Sequence, residues 1–414
     1  MTTPIYAQLQ SCRICSSDAL ESILDFGNMA LTGVFVDSGS EVEIAPMNLG
    51  RCRSCGLVQL LHNYDLKALY GSSYGYESHL NGSMRKHLNR KARMLENRYL
   101  TGIDSPVVVD IASNDGYLLQ GYSKYRTLIG VDPLMNNFSN YYPDVTIKID
   151  DFFTKEKYFQ KVDEKAHLVT SLSVLYDLND PIKFAQDVNS ILVENGIWHF
   201  EQSYLPLMVD TLSYDTVCHE HLTYLRLNDI QSILNKSGFE ILDASLNSVN
   251  GGSIAVTARK SSKNQQSLPF IDHLLAAEEK HGYLNGEALR EFASNAVQHK
   301  DELLKLLKDY KAQGFEVVGL GASTKGNVLL QWLGLTSSEI AHIGDINPRK
   351  FGKQCPGSGI SITSEEIILE RSTSKTIAVV LPWHFRDGII ENCEKLLDKN
   401  AKLLFPLPRI EVVS

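Results

Sequence analysis

The chain has 414 residues, a length that favours two or three domains over a single hydrophobic core. Hydrophobic residues make up 43% and charged residues 21%, and no apolar run approaches the roughly 20 residues of a membrane helix. The net charge of −9 argues against a broad nucleic-acid-binding surface. The N-terminus has no basic segment followed by an apolar stretch, so we expect a soluble, cytoplasmic protein that binds neither membrane nor nucleic acid.

Four of the seven cysteines form two pairs of equal spacing, Cys12-x-x-Cys15 and Cys52-x-x-Cys55. Two intervening residues let both sulfurs of a tight turn reach one ion, and two such turns complete a tetrahedral zinc site. The gap between the pairs leaves room for strands, such as one over 30–36. Because all four ligands come from the protein, we predict a structural zinc.

We assign the predicted zinc module to residues 1–70. A polar stretch follows, and its residues 80–100 are typical of a basic amphipathic helix. Short apolar runs then alternate with plausible helices, which predicts a parallel sheet covered by helices on both faces. The predicted strands are 107–111, 128–132, 146–149, 167–172, 196–200, 239–242 and 252–258. We therefore predict a central domain over 71–260 that includes the helical connector.

A second set of strands and helices follows a short polar linker and a long helical pattern over 274–311. Its strands are predicted at 316–320, 342–345, 376–381 and 402–405. This pattern predicts a smaller Rossmann-like domain, which together with the helical linker covers 261–414. The fold class is therefore α/β and multidomain.

The first strand of the central domain runs into a tight turn, the place where α/β sheets bind nucleotides. This turn has no G-x-G-x-x-G fingerprint, which favours a ligand that needs close backbone approach and carboxylate contacts over a pyrophosphate. An acid at the end of the second strand could accept hydrogen bonds from ribose hydroxyls, and one at the end of the third could accept one from an adenine amine. Each acid alone could also be a helix cap. Their order favours S-adenosylmethionine over NAD. The predicted cofactor residues are Asp110, Ala112, Asn114, Gly116, Asp132, Asp151, Phe152 and Ser171.

With these motifs the sequence resembles the bacterial sugar-nucleotide (NDP-hexose) C-methyltransferases over nearly its whole length. The resemblance is carried by the cysteine pairs, the turn DIASNDG at 110–116, CHEHL at 218–222 and GLGASTKGN at 319–327. It implies an N-terminal zinc-binding module, a central class I S-adenosylmethionine-dependent methyltransferase domain and a C-terminal Rossmann-like domain.

The CHEHL segment contains two histidines that flank a glutamate. Histidines two residues apart serve one metal ion poorly, because their side chains diverge on a strand or a helix, and a capped loop with satisfied histidines is another interpretation. Methyl transfer to carbon needs a base that removes a proton next to a carbonyl, and histidine suits this task. The resembled family has Tyr-His-Glu-His here, which implies His221 as the base and Glu220 as its partner. With the neighbouring histidine, the catalytic candidates are His219, Glu220 and His221.

Two departures from that family concern the acceptor site. Cys218 stands where the family commonly has tyrosine, and a thiol cannot replace a phenol as a strong hydrogen-bond donor. The segment 171–177 lacks a histidine that the family often has there. The position of the carbonyl, and even the accepting atom, therefore stays open.

The glycine-rich segment at 319–327 follows a strand and opens a helix, so its N–H groups, hydroxyls and lysine suit an anion. Its spacing is not that of a P-loop, and a glycine turn required only by chain geometry is the alternative. We predict that the acceptor lies between this edge and the central domain, because pockets favour domain interfaces. The predicted acceptor residues are Tyr76, Tyr176, Cys218, Ser323, Lys325, Asn327 and His384.

The leading hypothesis is a C-methyltransferase that acts on a nucleotide-linked keto-deoxysugar by proton abstraction and enolate attack on the sulfonium methyl. One alternative moves the methyl group to oxygen or nitrogen. Another is a nicotinamide-dependent oxidoreductase, against which the missing glycine fingerprint counts, and a third is a zinc-module RNA methyltransferase, against which the acidic charge counts. We expect a monomer or a small homo-oligomer.

Overall fold

The computed structural model describes residues 5–70, 76–123, 127–261 and 268–414, without the side chains of 138–140. None of the helices in these ranges is long and apolar enough to cross a membrane. The predicted domain boundaries at 70/71 and 260/261 adjoin residues outside this description, and they stay predictions.

The zinc module is built on an antiparallel sheet in which β4 pairs with both β2 and β5. Its elements are β1 Tyr6–Gln8, β2 Leu20–Ala30, β3 Val36–Asp37, β4 Ile44–Cys52, β5 Val58–Leu60, β6 His62–Tyr64 and α1 Leu66–Leu69. The strand predicted over 30–36 is wrong, because β2 ends at Ala30 and the chain turns at Thr32 and Gly33.

The connector contains α2, Gly82–Leu95. Asn81 precedes this helix, and its side chain caps two N–H groups of the first turn. The buried apolar residues of α2 form one stripe that packs on a face of the central sheet. On the same side, His87 and Lys91 bind the Glu201 carboxylate, at 2.6 and 2.8 Å. Apolar contacts and a buried ion cluster together fix this helix to the sheet.

The central domain has a seven-stranded sheet in the order β13-β14-β11-β10-β7-β8-β9. Its strands are β7 Val107–Ile111, β8 Thr127–Val131, β9 Thr146–Ile149, β10 Ala166–Leu172, β11 Leu192–Ser203, β13 Phe239–Asn247 and β14 Ser253–Lys260. Its helices are α3 Lys155–Phe159, α4 Pro181–Ile191, α5 Leu205–Asp210 and α6 Leu227–Lys236. The strands from β7 to β11 are parallel, and β7 is wholly buried, as expected of a strand covered on both faces.

One short strand of this segment leaves the central sheet. Strand β12, Thr223–Tyr224, pairs antiparallel with β5 and so extends the sheet of the zinc module. The loop that contains the predicted catalytic residues is therefore followed directly by a strand of the zinc module's sheet.

The C-terminal domain has a six-stranded sheet in the order β18-β16-β15-β19-β20-β21, parallel except for β21. Its strands are β15 Glu316–Leu320, β16 Ile343–Asp345, β17 Lys353–Gln354, β18 Ile362–Ser364, β19 Thr376–Val380, β20 Lys402–Phe405 and β21 Glu411–Val413. Its helices are α7 Pro269–Lys280, α8 Glu287–Ala312, α9 Thr324–Leu333, α10 Glu365–Arg371, α11 Arg386–Asn392 and α12 Glu394–Leu397. Strand β17 pairs with β3 of the zinc module.

The three parts of the chain share one hydrophobic core. Met47 of the zinc module, Cys218 of the central domain and Val379 of the C-terminal domain belong to the same buried cluster. The predicted multidomain α/β fold is confirmed, and the CHEHL segment lies where the three parts meet.

Candidate functional site

The four predicted zinc ligands come together in the zinc module, with Cys12 and Cys52 buried and Cys15 and Cys55 half-buried. All four sulfurs lie within 4.8 Å of one another, and Sγ of Cys12 is 3.6 Å from Sγ of Cys55. A tetrahedral zinc with Zn–S bonds of about 2.3 Å places its sulfurs about 3.8 Å apart. A hydrogen bond with Cys55 lowers the pKa of the Cys12 thiol, which favours the thiolate that binds metal. The arrangement fits a closed, structural zinc site.

Two buried carboxylates lie at the ends of neighbouring parallel strands. Asp110 in β7 accepts a hydrogen bond from the Thr170 hydroxyl at 2.7 Å, and burial raises its pKa to about 7. Asp132, directly after β8, accepts the backbone N–H groups of Asn114 and Leu134 at 2.9 and 2.7 Å, and burial raises its pKa to about 6. The predicted cofactor edge therefore holds two acids that titrate near neutral pH.

The turn between these strands has an unusual backbone. Ala112, Asn114 and Gly116 all have positive φ, of 55, 51 and 76°. A β-carbon at residue 116 would lie 2.7 Å from the ring of Tyr142, so only glycine fits there. The turn brings its backbone close to the edge where the sequence predicts a cofactor.

The remaining predicted cofactor residues differ in exposure. Asp151 follows β9 and pairs with Lys157 at 2.6 Å, a contact that lowers the pKa of Asp151. Phe152 beside it is half-buried. Ser171 is buried in β10 and accepts the indole N–H of Trp198 at 2.9 Å. Their roles in cofactor binding stay predictions.

A short segment over 76–79 covers the cofactor turn, and sequence reasoning identified only its first residue. The backbone N–H of Ser78 donates to Asn114 Oδ1 at 3.1 Å, and that of His79 donates to the fully buried Asp115 at 2.7 Å. Glu77 accepts a hydrogen bond from Asn347 of the C-terminal domain at 3.2 Å. The segment thus connects the C-terminal domain to the cofactor turn.

His221 is held in one tautomer. Its Nδ1 lies 2.8 Å from the carbonyl oxygen of Thr216, and because a carbonyl only accepts, Nδ1 carries the hydrogen. The lone pair is therefore on Nε2. Burial and the charge of Lys325 lower the pKa of His221 to about 3, and its ring packs on Tyr176 with centroids 4.3 Å apart. The imidazole is neutral at physiological pH.

The side chain of Glu220 contacts the zinc module, and the sequence did not reveal this contact. Its Oε2 accepts the Thr32 hydroxyl at 3.1 Å, and Gly33 packs against its carboxyl group. Asn327 of α9 donates to the carbonyl of Thr32 at 2.7 Å. Burial raises the pKa of Glu220, which favours its neutral form. The signal in the sequence was the glycine inside the wrongly predicted strand, since such a glycine often marks a close approach.

His219, the third catalytic candidate, faces another direction. Its Nε2 lies 3.3 Å from the carbonyl of Ala45, and its ring contacts Tyr64 edge-on at 5.0 Å between centroids. Burial lowers the pKa of His219 to about 4. These contacts fix the loop against the zinc module, and a catalytic role for His219 stays a prediction.

Lys325 is the cation of the predicted acceptor site. Its Nζ donates to the Asn250 carbonyl at 2.6 Å, and burial lowers its pKa. Burial and the Lys325 charge together lower the pKa of His384 well below its usual value. Asp215, which also interacts with Lys325, accepts the indole N–H of Trp383 at 2.8 Å. Lys325 is thus close enough to influence both histidines.

The other predicted acceptor residues lie around this centre or support it. Ser323 caps α9 by accepting the N–H of Gly326 at 3.0 Å. Cys218 is fully buried, and burial raises its thiol pKa well above the usual range. Tyr76 is 44% exposed, and partial burial of its phenol group raises the pKa of Tyr76 to about 12. Their contacts with an acceptor stay predictions.

Several polar atoms around the CHEHL segment are buried without a hydrogen-bond partner among the described residues. Buried polar atoms of folded proteins usually have a partner in the protein, in ordered water or in a ligand. The atoms without a partner include Asp177 Oδ1, Asp215 Oδ1, His219 Nδ1, Glu220 Oε1, Asn327 Oδ1 and His384 Nδ1. Most of these atoms are oxygens that accept hydrogen bonds, so the site suits a ligand rich in hydroxyl groups.

Comparison with known proteins agrees with this arrangement. Three family models match the chain: a putative zinc binding domain at 12–70, a methyltransferase domain at 84–244 and a C-methyltransferase C-terminal domain at 248–408. The chain is 28% identical to the C-methyltransferase NovU of Streptomyces niveus over 99% of this chain and 98% of the relative.

Solved structures of methyltransferases match a smaller share of the chain. An amino pentose methyltransferase from Micromonospora echinaspora covers 46% of this chain and 100% of its own, with 10% identity and a TM-score of 0.34. Magnesium protoporphyrin IX methyltransferase from Synechocystis covers 47% of this chain and 93% of its own, with 15% identity and a TM-score of 0.34.

The family matches confirm a methyltransferase domain between a zinc-binding module and a further C-terminal domain. The zinc binding domain model and the four-cysteine cluster bear out the predicted zinc, and the methyltransferase model agrees with S-adenosylmethionine as the predicted methyl donor. The oxidoreductase alternative is not supported, because the methyltransferase model spans β7 to β11 of the central sheet.

Proposed function

From the premise that this chain is an S-adenosylmethionine-dependent methyltransferase that resembles the C-methyltransferases throughout, we propose that it methylates a carbon of a nucleotide-linked keto-deoxysugar. The observation that carries the proposal is the state of His221. The hydrogen bond from its Nδ1 to Thr216 leaves Nε2 free to accept a proton, and its low pKa keeps the ring neutral.

In the proposed reaction, Nε2 of His221 takes a proton from the carbon next to the sugar carbonyl. The electrons of the broken C–H bond form an enolate, whose carbon bonds to the methyl group as the sulfur–methyl bond breaks. When bound, S-adenosylmethionine supplies the electrophilic methyl. The proton on His221 is afterwards released to water, which restores the neutral imidazole.

A histidine with a pKa of about 3 is a weak base, so the acceptor carbon must be made more acidic. Lys325 supports this requirement, because a buried cation beside the base stabilises negative charge that develops on the carbonyl oxygen. The Lys325 charge that lowers the basicity of His221 would thus also increase the acidity of the C–H group from which His221 takes the proton.

Glu220 would act as a donor in this site. Burial favours its neutral carboxylic acid, and a carboxylic acid can donate a hydrogen bond to a sugar oxygen. Thr32 holds one carboxyl oxygen, and the other is buried without a partner among the described residues. A sugar hydroxyl or carbonyl would satisfy the unpaired group.

The cofactor would be held by this chain's own edge of β7, β8 and β9. Asp132 would accept the ribose hydroxyls, and Asp151 and Phe152 would contact the adenine. The backbone of the Ala112–Gly116 turn approaches the same edge closely because of its positive φ values. Asp110 lies behind this turn, held by Thr170.

The nucleotide part of the acceptor would lie along the C-terminal domain, near Ser323 and His384. The oligomeric state and the cytoplasmic location stay predictions. Product analysis tests the proposed function: with ¹³C-methyl-labelled cofactor and a nucleotide-linked keto-deoxysugar, we expect an NMR signal of a methyl bound to carbon. A methyl bound to oxygen or nitrogen would replace the proposal with the alternative transfer.

A further inference from the structure

The 216–222 loop, which carries His221, is continuous with the zinc module. Directly after this loop, Thr223 and Tyr224 pair with Gln59 and Val58 of β5. The N–H of Leu60 also donates to the carbonyl of Leu222 at 2.9 Å. Strand β5 begins just after the second cysteine pair, so one short strand separates the zinc ligands from the loop.

Arg226 makes a second connection between the same two places. Its side chain is only 1% exposed, and its Nη2 donates to the carbonyl of Cys55 at 3.0 Å. Its Nε and Nη2 also bind the two carboxyl oxygens of Asp229, at 2.9 and 2.8 Å. This bidentate contact fixes the plane of the guanidinium group.

The cysteine turn is shaped to receive this group. Gly56 has a φ of +80°, and a β-carbon there would lie 3.1 Å from Nη2 of Arg226. A side chain at residue 56 would therefore be strained and would press on the guanidinium group. The guanidinium group of Arg226 thus packs against the backbone of Cys55, a predicted zinc ligand.

We propose that Arg226 is a positioning residue that couples the zinc-binding turn to the loop that carries His221. The guanidinium group fixes the carbonyl of Cys55 relative to the start of α6, and β12, which connects the loop to Arg226, pairs with β5 just after the same cysteine turn. Outer-shell contacts of this kind orient metal ligands, and a cation also balances the negative charge of four thiolates on zinc. The zinc site would then set the position of the base without taking part in the reaction.

This inference rests on the proposed function only where it names His221 as the base. The coupling itself can be measured without turnover. Lys236 offers a matched control, because its Nζ donates to the carbonyl of Ile14, inside the first cysteine pair, at 2.7 Å. Lys236 touches the zinc-binding turns as Arg226 does, but it lies at the far end of α6, away from the loop.

The test compares the full chain carrying R226M with D229N, the K236M chain and the unaltered chain. Asn at 229 keeps an acceptor for the N–H of residue 226 and avoids a stranded buried charge. Zinc release to a chromogenic chelator and amide hydrogen exchange over 218–224 are the two readouts. In the double variant we expect both to become faster by about tenfold, while S-adenosylmethionine affinity stays within about twofold.

In K236M we expect unchanged exchange over 218–224, whatever the rate of zinc release. Equal exchange in the double variant and K236M would overturn the coupling. If the double variant loses methyl transfer while amide exchange over 218–224 is unchanged, the substitutions affect the reaction itself. That result would contradict a positioning role for Arg226.

If the double variant does not fold, R226K keeps the buried charge and removes the bidentate geometry. We expect exchange over 218–224 in R226K to be faster than in the unaltered chain. Unchanged exchange and zinc release in R226K would contradict the proposal.

Discussion

Gly33 leaves the space that the carboxyl group of Glu220 occupies. A β-carbon built at residue 33 would overlap Oε1 of Glu220, and the neighbouring Thr32 donates to the other carboxyl oxygen. A turn of the zinc module thus forms one wall of the proposed acceptor site. The module would thus have two roles: its cysteines would hold the zinc, and its Thr32–Gly33 turn would contact a residue of the proposed acceptor site.

The first prediction concerns this wall. Gly33→Ala should displace the Glu220 carboxyl group and lower methyl transfer by about tenfold or more, while S-adenosylmethionine affinity is unchanged. Steady-state rates and isothermal titration calorimetry measure the two effects. Gly388→Ala is the control, because no heavy atom lies within 4 Å of a β-carbon there. Normal turnover in Gly33→Ala would remove Glu220 from the site.

The second prediction concerns the base. His221→Asn keeps a donor for the Thr216 carbonyl and removes Nε2, so the loop should keep its conformation while proton transfer is lost. We expect methyl transfer to fall by about 10² to 10⁴, the usual contribution of a general base. Cofactor affinity, measured by calorimetry, should stay within about twofold. A variant that turns over at the normal rate would show that another group removes the proton.

The third prediction concerns pH. Because burial raises the pKa of Asp132 to about 6, its carboxylate is lost as the pH falls below that value. If the carboxylate accepts the ribose hydroxyls, cofactor affinity should fall on the order of tenfold per pH unit well below pH 6. His221, with a pKa of about 3, stays neutral over this range, so kcat at saturating cofactor should stay flat.

Asp132→Asn provides the control for this pH dependence. Its cofactor affinity should be weak and nearly independent of pH between 5 and 8. If the variant keeps the acid-dependent loss of affinity, another group titrates, and Asp110, with a pKa near 7, is the next candidate.

The fourth prediction concerns Lys325. Lys325→Met removes the cation that would stabilise the enolate oxygen, and we expect kcat to fall by about 10² to 10³. Loss of that charge also raises the pKa of His221, so the acid limb of kcat should move to higher pH. A decrease in kcat with no movement of the pH profile would place Lys325 away from the base.

The sequence alone was sufficient for features that depend on local spacing. The cysteine pairs come together as their two-residue spacing predicts, and Asp110 and Asp132 lie at neighbouring strand ends because parallel strands present their carboxyl ends on one edge. Apolar runs and turns determine these positions within short stretches of chain.

Contacts between distant parts of the chain could not be predicted in this way. Thr32 meets Glu220, and β12 joins the sheet of the zinc module, because three domains share one core. The apolar residues around Thr32 and Gly33 predict a strand, whereas the turn and its contact with Glu220 depend on a distant part of the chain that local pattern does not reveal.

The central claim is that the chain removes a proton from the acceptor carbon before that carbon takes the methyl group. Proton NMR of the keto-deoxysugar nucleotide in deuterated water, with S-adenosylhomocysteine in place of the methyl donor, measures this step directly. We predict that the unaltered chain replaces the hydrogen next to the carbonyl with deuterium and that His221→Asn does not. Retention of that hydrogen by an unaltered chain that still transfers methyl groups to the same acceptor would contradict the account.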